Sequence, residues 1–215
     1  MKIDFVSDVA CPWCAVGLNA LEIALKRIGD DIPVSLHMQP YELNPDMAIE
    51  GVDASAYLAS KYGLSAEQLA ANRANIRARG AEVGFNFGDR TRVWNTFDAH
   101  RLLHWAGQQG RQRELKHALL RAYHGEGRNP GAKDVLLALA AEVGLDVEAA
   151  RAVLESDAHA AEVRQAEAIW QQNGISAVPS VIINDRHLIQ GGQPPEVFEQ
   201  AIRQIAASEG GTAKP

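Results

Sequence analysis

The chain holds two cysteines, Cys11 and Cys14, set three residues apart in Cys11-Pro12-Trp13-Cys14. A pair at this spacing has two common uses: thiol–disulfide exchange, or half of a tetrahedral zinc site. Zinc would need two more ligands, and no second cysteine pair exists. His100 and His104 stand i, i+4 on helical text and are the remaining ligand candidates. Arg101 follows His100 where a zinc protease would carry glutamate, and both histidines read equally as partly buried polar residues. A disulfide framework spread over the fold is excluded by the count. Redox exchange therefore leads, ahead of a metal site and of an inert pair, and no metal is expected.

Cys11 falls where strand text has ended and a helix is starting. The N–H groups and dipole of a helix N-terminus favour an anion, so a thiolate is stabilised there. Cys14 lies one turn inward on the same face. That arrangement gives an accessible nucleophile, Cys11, and a resolving thiol, Cys14. Pro12 suits the first helical turn, where a missing N–H is harmless, and Trp13 tunes or shields the site. Asp8, three residues before Cys11, reads first as a loop acid near a helix start and second as an influence on the cysteine. The potential and direction of electron flow are not encoded in the spacing.

Several elements must hold this pair. Residues 2–7 read as a short strand, and Leu18, Leu21, Leu25 and Ile28 mark one face of a helix that ends near Gly29. Pro33 to Tyr41 alternates as a second strand, completing a βαβ unit. The text then turns alanine-rich and helical, with 54–173 predicted to be helical throughout and Ser65 to Gln68 forming a capping box. Further helices are predicted over 96–107, 112–124, 132–143, 146–155 and 158–172. Strand text returns at Ala177 to Ile183 and again from Arg186 to Gln190, with a turn at Asn184-Asp185. Pro195 opens the last helix.

The order β-α-β, helical insert, β-β-α makes one sheet from the two ends of the chain. The fold class is α/β, thioredoxin-like, with a large inserted all-helical domain. Residues 1–50 and 174–208 form the discontinuous sheet domain, 51–173 the helical domain and 209–215 a flexible tail.

Composition narrows the partners. The 215 residues are 47% hydrophobic and 22% charged, ordinary for a globular chain with a large core. A net charge of -6 argues against nucleic acid. No apolar run approaches the roughly 20 residues that cross a bilayer. Met1 to Val6 lacks the features of a secretory signal, so the cytoplasm is the expected compartment.

Cys-Pro-Trp-Cys opening a helix after a short strand resembles the DsbA family. So do the helical insert, Val178-Pro179-Ser180-Val181 and the helix start Gly192-Gln193-Pro194-Pro195-Glu196. Asn95-Thr96-Phe97-Asp98-Ala99-His100-Arg101 is similar to a helix start of its cytosolic FrnE-like branch. The resemblance implies a nucleophilic Cys11, a resolving Cys14 and a cis Pro179 that, with Val178, borders a substrate groove. It also implies protein or small-molecule thiols and disulfides as partners, no cofactor beyond the cysteine pair, and glutathione as a candidate co-substrate; a homodimer is compatible with it. Glutathione-dependent relatives, the kappa transferases and the hydroxychromene-carboxylate isomerases, share the layout but usually carry serine at the helix start. A non-enzymatic client-binding module is the third reading. Asn95, His100 and His104 receive no role from the sequence.

Overall fold

A computed structural model describes residues 1–210. Strand β1 (Lys2–Ser7) sends Ile3 and Phe5 to one face and Val6 to the other, and every residue after Lys2 is buried. It sits inside a four-stranded sheet of order β2-β1-β5-β6. Strands β2, β5 and β6 are Ser35–Pro40, Ser180–Ile183 and His187–Gln190. Phe5 lies opposite Met38 of the parallel neighbour β2 and opposite Val181 of the antiparallel neighbour β5. Asn184 and Asp185 turn the β5–β6 hairpin with φ of 50 and 57, values that Asn and Asp tolerate.

Helix α1 (Pro12–Ile28) packs on the sheet with α9 (Pro195–Gly210). Leu18, Leu21, Phe198 and Ile202 fill the space against Phe5 and Val181. On the opposite face Val6 and Ile182 meet Ile175 and Trp170. Residues 209 and 210, expected to open a flexible tail, are helical instead. Helix α9 continues through Ser208 and Glu209, where Asn184 Nδ2 donates to Glu209 Oε2 at 2.6 Å; residues 211–215 of that expected tail lie outside the described residues.

Between β2 and β5 run α2 (Ala54–Tyr62), α3 (Ala66–Glu82), α4 (Phe97–Gln108), α5 (Gln112–Leu120), α6 (Lys133–Glu142), α7 (Val147–Leu154) and α8 (Ala160–Gln172). The Ser65–Gln68 capping box forms with both reciprocal hydrogen bonds, 2.8 and 3.2 Å. Two departures matter. Residues 54–173 are not helical throughout, because β4 (Arg92–Val93) pairs antiparallel with β3 (Val52–Asp53). Arg92 fixes this ribbon by donating to the carbonyls of Glu50 and Gly51 at 2.7 and 2.9 Å. Two residues a side are too few for strand periodicity to show. In addition, the helix expected over 112–124 ends as α at Leu120 and continues as a π-helical turn, Arg121–Gly125.

Val9 and Ala10 belong to the apolar core of the insert, with Leu102, Leu119, Tyr123 and Leu136. Cys11 and Cys14 belong to the core on the sheet. The segment 8–11 is thus where the two cores meet.

Candidate active site

Cys11 caps α1 with extended backbone (φ -88, ψ 115), and no acid occupies the first turn of that helix. Its amide donates to the Asp8 carbonyl at 3.2 Å, while its own carbonyl accepts from Cys14 N at 3.1 Å. Its thiol donates to the Val178 carbonyl at 3.5 Å. The bond to the Cys14 thiol pulls the Cys11 thiol below its ordinary value. Burial opposes that shift, the amides of Cys14 and Trp13 add to it, and the Asp8 charge works against it. Cys14 is wholly buried. Burial first, and then the bond to Cys11 and its charge, push this second thiol well up. Three residues along one helix therefore separate an easily ionised thiol from one that resists ionisation.

Around them the backbone is tight. The Val178-Pro179 peptide bond is cis. The Pro179 ring lies so near Gly17 that a Cβ there would meet its Cγ at 2.9 Å, and the Trp13 ring leaves equally little room at Gly192, 3.2 Å. Trp13 and Cys11 line one wall of a cavity of about 870 Å³, whose other walls include Leu43, Tyr57, Ile76 and Phe87. That volume suits a drug-sized ligand or a segment of chain. Arg90, also on the wall, donates to the Ala10 carbonyl at 2.9 Å.

Residues 2–203 match the DSBA-like thioredoxin domain family. The chain belongs to that family. It is similar to a probable DsbA oxidoreductase from Streptomyces coelicolor, 36% identical, with a TM-score of 0.91 over 100% of this chain and 92% of that one. It is 31% identical to the uncharacterised protein YwbO of Bacillus subtilis, over 94% of this chain and 96% of that protein. The cytosolic disulfide reductase DsbM of Pseudomonas aeruginosa, crystallised with GSH, shares the fold at 18% identity and a TM-score of 0.67, over 96% of this chain and 100% of that one.

Beneath the cysteines of this DsbA-like chain lies a polar cluster that the sequence does not announce. Asp8 is a loop acid just before the helix start, as the sequence indicates, but it is fully buried. Its Oδ1 accepts from Ala10 N (3.0 Å), Thr96 Oγ1 (2.8 Å) and His100 Nε2 (3.2 Å), and its Oδ2 from Leu43 N (2.8 Å). Burial pushes this carboxyl up, but His100 and the two amides together hold it below the usual carboxylate range. His124, carried by the π-helical turn, donates from Nε2 to the Val9 carbonyl at 2.8 Å. Burial, aided by the Arg90 charge, depresses its pKa to about 3, so the ring is neutral at ordinary pH. Lys116 of α5 completes the cluster, 1% exposed.

The other residues singled out by sequence separate cleanly. His104, one turn beyond His100, stands instead against His159, ring centres 5.1 Å apart. No group of three or more metal-ligating side chains forms among the described residues. Asn95 donates to Met47 O at 3.0 Å and accepts from Phe97 N at 2.8 Å, tying a loop to the start of α4. Lys116 and His124 went unnoticed in the sequence. The usable signal for Lys116 was its spacing: Leu119 and Leu120, three and four residues on, share its helical face and are fully buried.

Proposed function

We propose that this chain is a thiol–disulfide oxidoreductase in which Cys11 exchanges with a thiol or disulfide of a protein or small molecule, and Cys14 resolves the product. The observation that carries the reading is the opposed character of the two thiols, lowered at the helix start and raised one turn inward, where Cys14 is wholly buried. Cys11 attacks a disulfide R–S–S–R, forming a Cys11–S–S–R bond and releasing one thiolate. Cys14 then attacks Cys11, closing the intramolecular disulfide and releasing the second thiol. An external thiol of the glutathione type reverses the sequence. The Val178 carbonyl beside Cys11 and the edge at Pro179 offer backbone to an extended client. Trp13 and the large cavity offer an apolar wall. Membership in the DsbA-like family supports this over a client-binding module, and the second cysteine supports it over the glutathione-dependent isomerases and transferases, which need only one group at the helix start. The FrnE-like branch and a cytoplasmic setting fit this reading. Among the described residues no helix is long and apolar enough to cross a membrane.

The test is Cys14→Ser, expressed in cells whose thiols are rapidly quenched. Adducts linked through Cys11 should accumulate on non-reducing electrophoresis, whereas Cys11→Ser should give neither adduct nor turnover. Thiol–disulfide activity that persists in Cys14→Ser without adducts would overturn the dithiol mechanism.

A further inference from the structure

Buried charges in this chain are otherwise bonded. The Arg101 guanidinium reaches Asp98 and the carbonyls of Val153, Ser156 and Ala158, and Asp8 accepts from four donors. Lys116 is the exception. It is 1% exposed, and among the described residues its ammonium makes no hydrogen bond and no ion pair; burial pushes its pKa down, and the charges of Cys14, Asp8 and Cys11 push it back up. Burial without a partner favours the neutral amine, so the charged form of Lys116 depends on anions nearby.

The surrounding groups show which anion. Helix α5 lies along α1, where Arg113 and His117 meet Glu22, and Leu120, one turn beyond Lys116, packs in the same core as Cys14; the charges of Cys14, Asp8 and Cys11 act on Lys116. His124 of the π-helical turn feels its charge but is neutral. On α4, His100 is engaged by Asp8. On α6, Glu142 is taken up by Arg121 at the surface, and on α5 itself Arg113 and His117 are turned to Glu22. Asp8 is a permanent anion with its own donors. The anions that come and go are the two thiolates, and of these Cys14 acts most strongly on the lysine.

We propose that Lys116 is the counter-charge that lets Cys14 ionise inside the core, so that the resolving attack proceeds at neutral pH. This rests on the dithiol reading above. In the mixed disulfide Cys11 carries no charge, and the S–H bond of Cys14 must break. Its proton leaves to solvent, its sulfur forms a bond to Cys11, the Cys11–S–S–R bond breaks, and R–S⁻ departs to take up a proton. The dithiol is oxidised and R–S–S–R reduced, with no further reagent. Without Lys116 this step would add a second buried anion to that of Asp8; with it, one cation acts on both. Lys116 touches no substrate, and acts through Cys14 as a positioning charge.

The experiment mixes reduced protein with dithiodipyridine, an aromatic disulfide whose released thiopyridone is followed by absorbance. The first release reports attack by Cys11 and the second reports Cys14. Lys116→Met, which keeps the apolar stem and removes the charge, should leave the first release near the wild-type rate. Its second release should slow about ten-fold at neutral pH and recover in alkali, the pH–rate curve moving up by about one unit. A second release that is unchanged, or slowed equally at every pH, overturns the proposal. Wild type without a first release sinks the dithiol reading instead, so the two failures are distinct. Should Lys116→Met and Lys116→Gln both fail to fold, Cys11→Ser serves: the Lys116 side-chain nitrogen resonance should move as Cys14 titrates, and an unmoved signal overturns the proposal.

Discussion

Two buried acid sites stand close enough to feel each other's charge, and they are built in opposite ways. Asp8 has a donor for every demand: two amides, a hydroxyl and an imidazole. Glu42 and Glu167 share one cation, Arg164, whose Nη1 donates to Glu42 Oε2 and, at 2.9 Å, to Glu167 Oε2. The Oε1 atom of each glutamate is buried without any partner. Burial drives all three carboxyls upward. At Asp8 the donors reverse that push, whereas at Glu42 and Glu167 burial prevails and both stand above the usual range. Depth alone therefore does not decide ionisation; the number of directed donors does. The fully satisfied anion is the one under the cysteines.

The largest test of this contrast is Asp8→Asn. An amide in that position turns two hydrogens towards existing donors, and we expect a loss of about 3–5 kcal/mol in denaturant unfolding near neutral pH. The sign follows from the lowered carboxyl. Its stabilisation is present above the unfolded carboxylate range and is lost as pH falls through the folded value, so the variant should approach wild type in acid. A loss below about 1 kcal/mol would mean that the four donors do not hold an anion.

Arg164→Met should cost less, about 1–3 kcal/mol near neutrality, and its loss too should shrink in acid, though because the carboxyls it pairs with are raised. Raised carboxyls favour the protonated form, so their burial is tolerated at low pH and becomes a penalty as pH rises through the folded values. Unfolding midpoints compared at mildly acidic and neutral pH should show the variant nearer wild type in acid; a parallel offset would refute the raised pair. The smallest effect belongs to Glu167→Gln. It keeps the Arg164–Glu42 bond and removes one of two competing acids, so stability near neutral pH should change by less than about 1 kcal/mol, towards greater stability. A loss as large as that of Asp8→Asn would erase the distinction between the two sites.

The sequence carried the cysteine pair and the elements that seat it, because both signals are local. Three-residue spacing, an early proline and the switch between periods of 2 and 3.6 lie within short windows around Cys11 and along β1 and α1. The acid cluster is invisible for the converse reason. Asp8 draws donors from Leu43, Thr96 and His100, 35, 88 and 92 residues away, and nothing in a one-dimensional window brings them together. His100 and His104 read alike on one helical face, yet only His100 reaches the site. The β3–β4 ribbon escapes by brevity, and the π-helical turn because its residues also suit an α-helix.

The Cys11–Val178 contact spans 167 positions of chain, and β1 waits for a neighbour, β5, equally far along. Drawing such distant segments together costs about 4–5 kcal/mol in loop-closure entropy alone. On a ribosome Cys11 is made early, while the Val178 backbone that will meet it is still untranslated. The helices between can fold first through local contacts, and the sheet closes last. For most of synthesis, then, Cys11 and Cys14 travel on an unfinished sheet, and their surroundings are completed by one late event: the docking of β5.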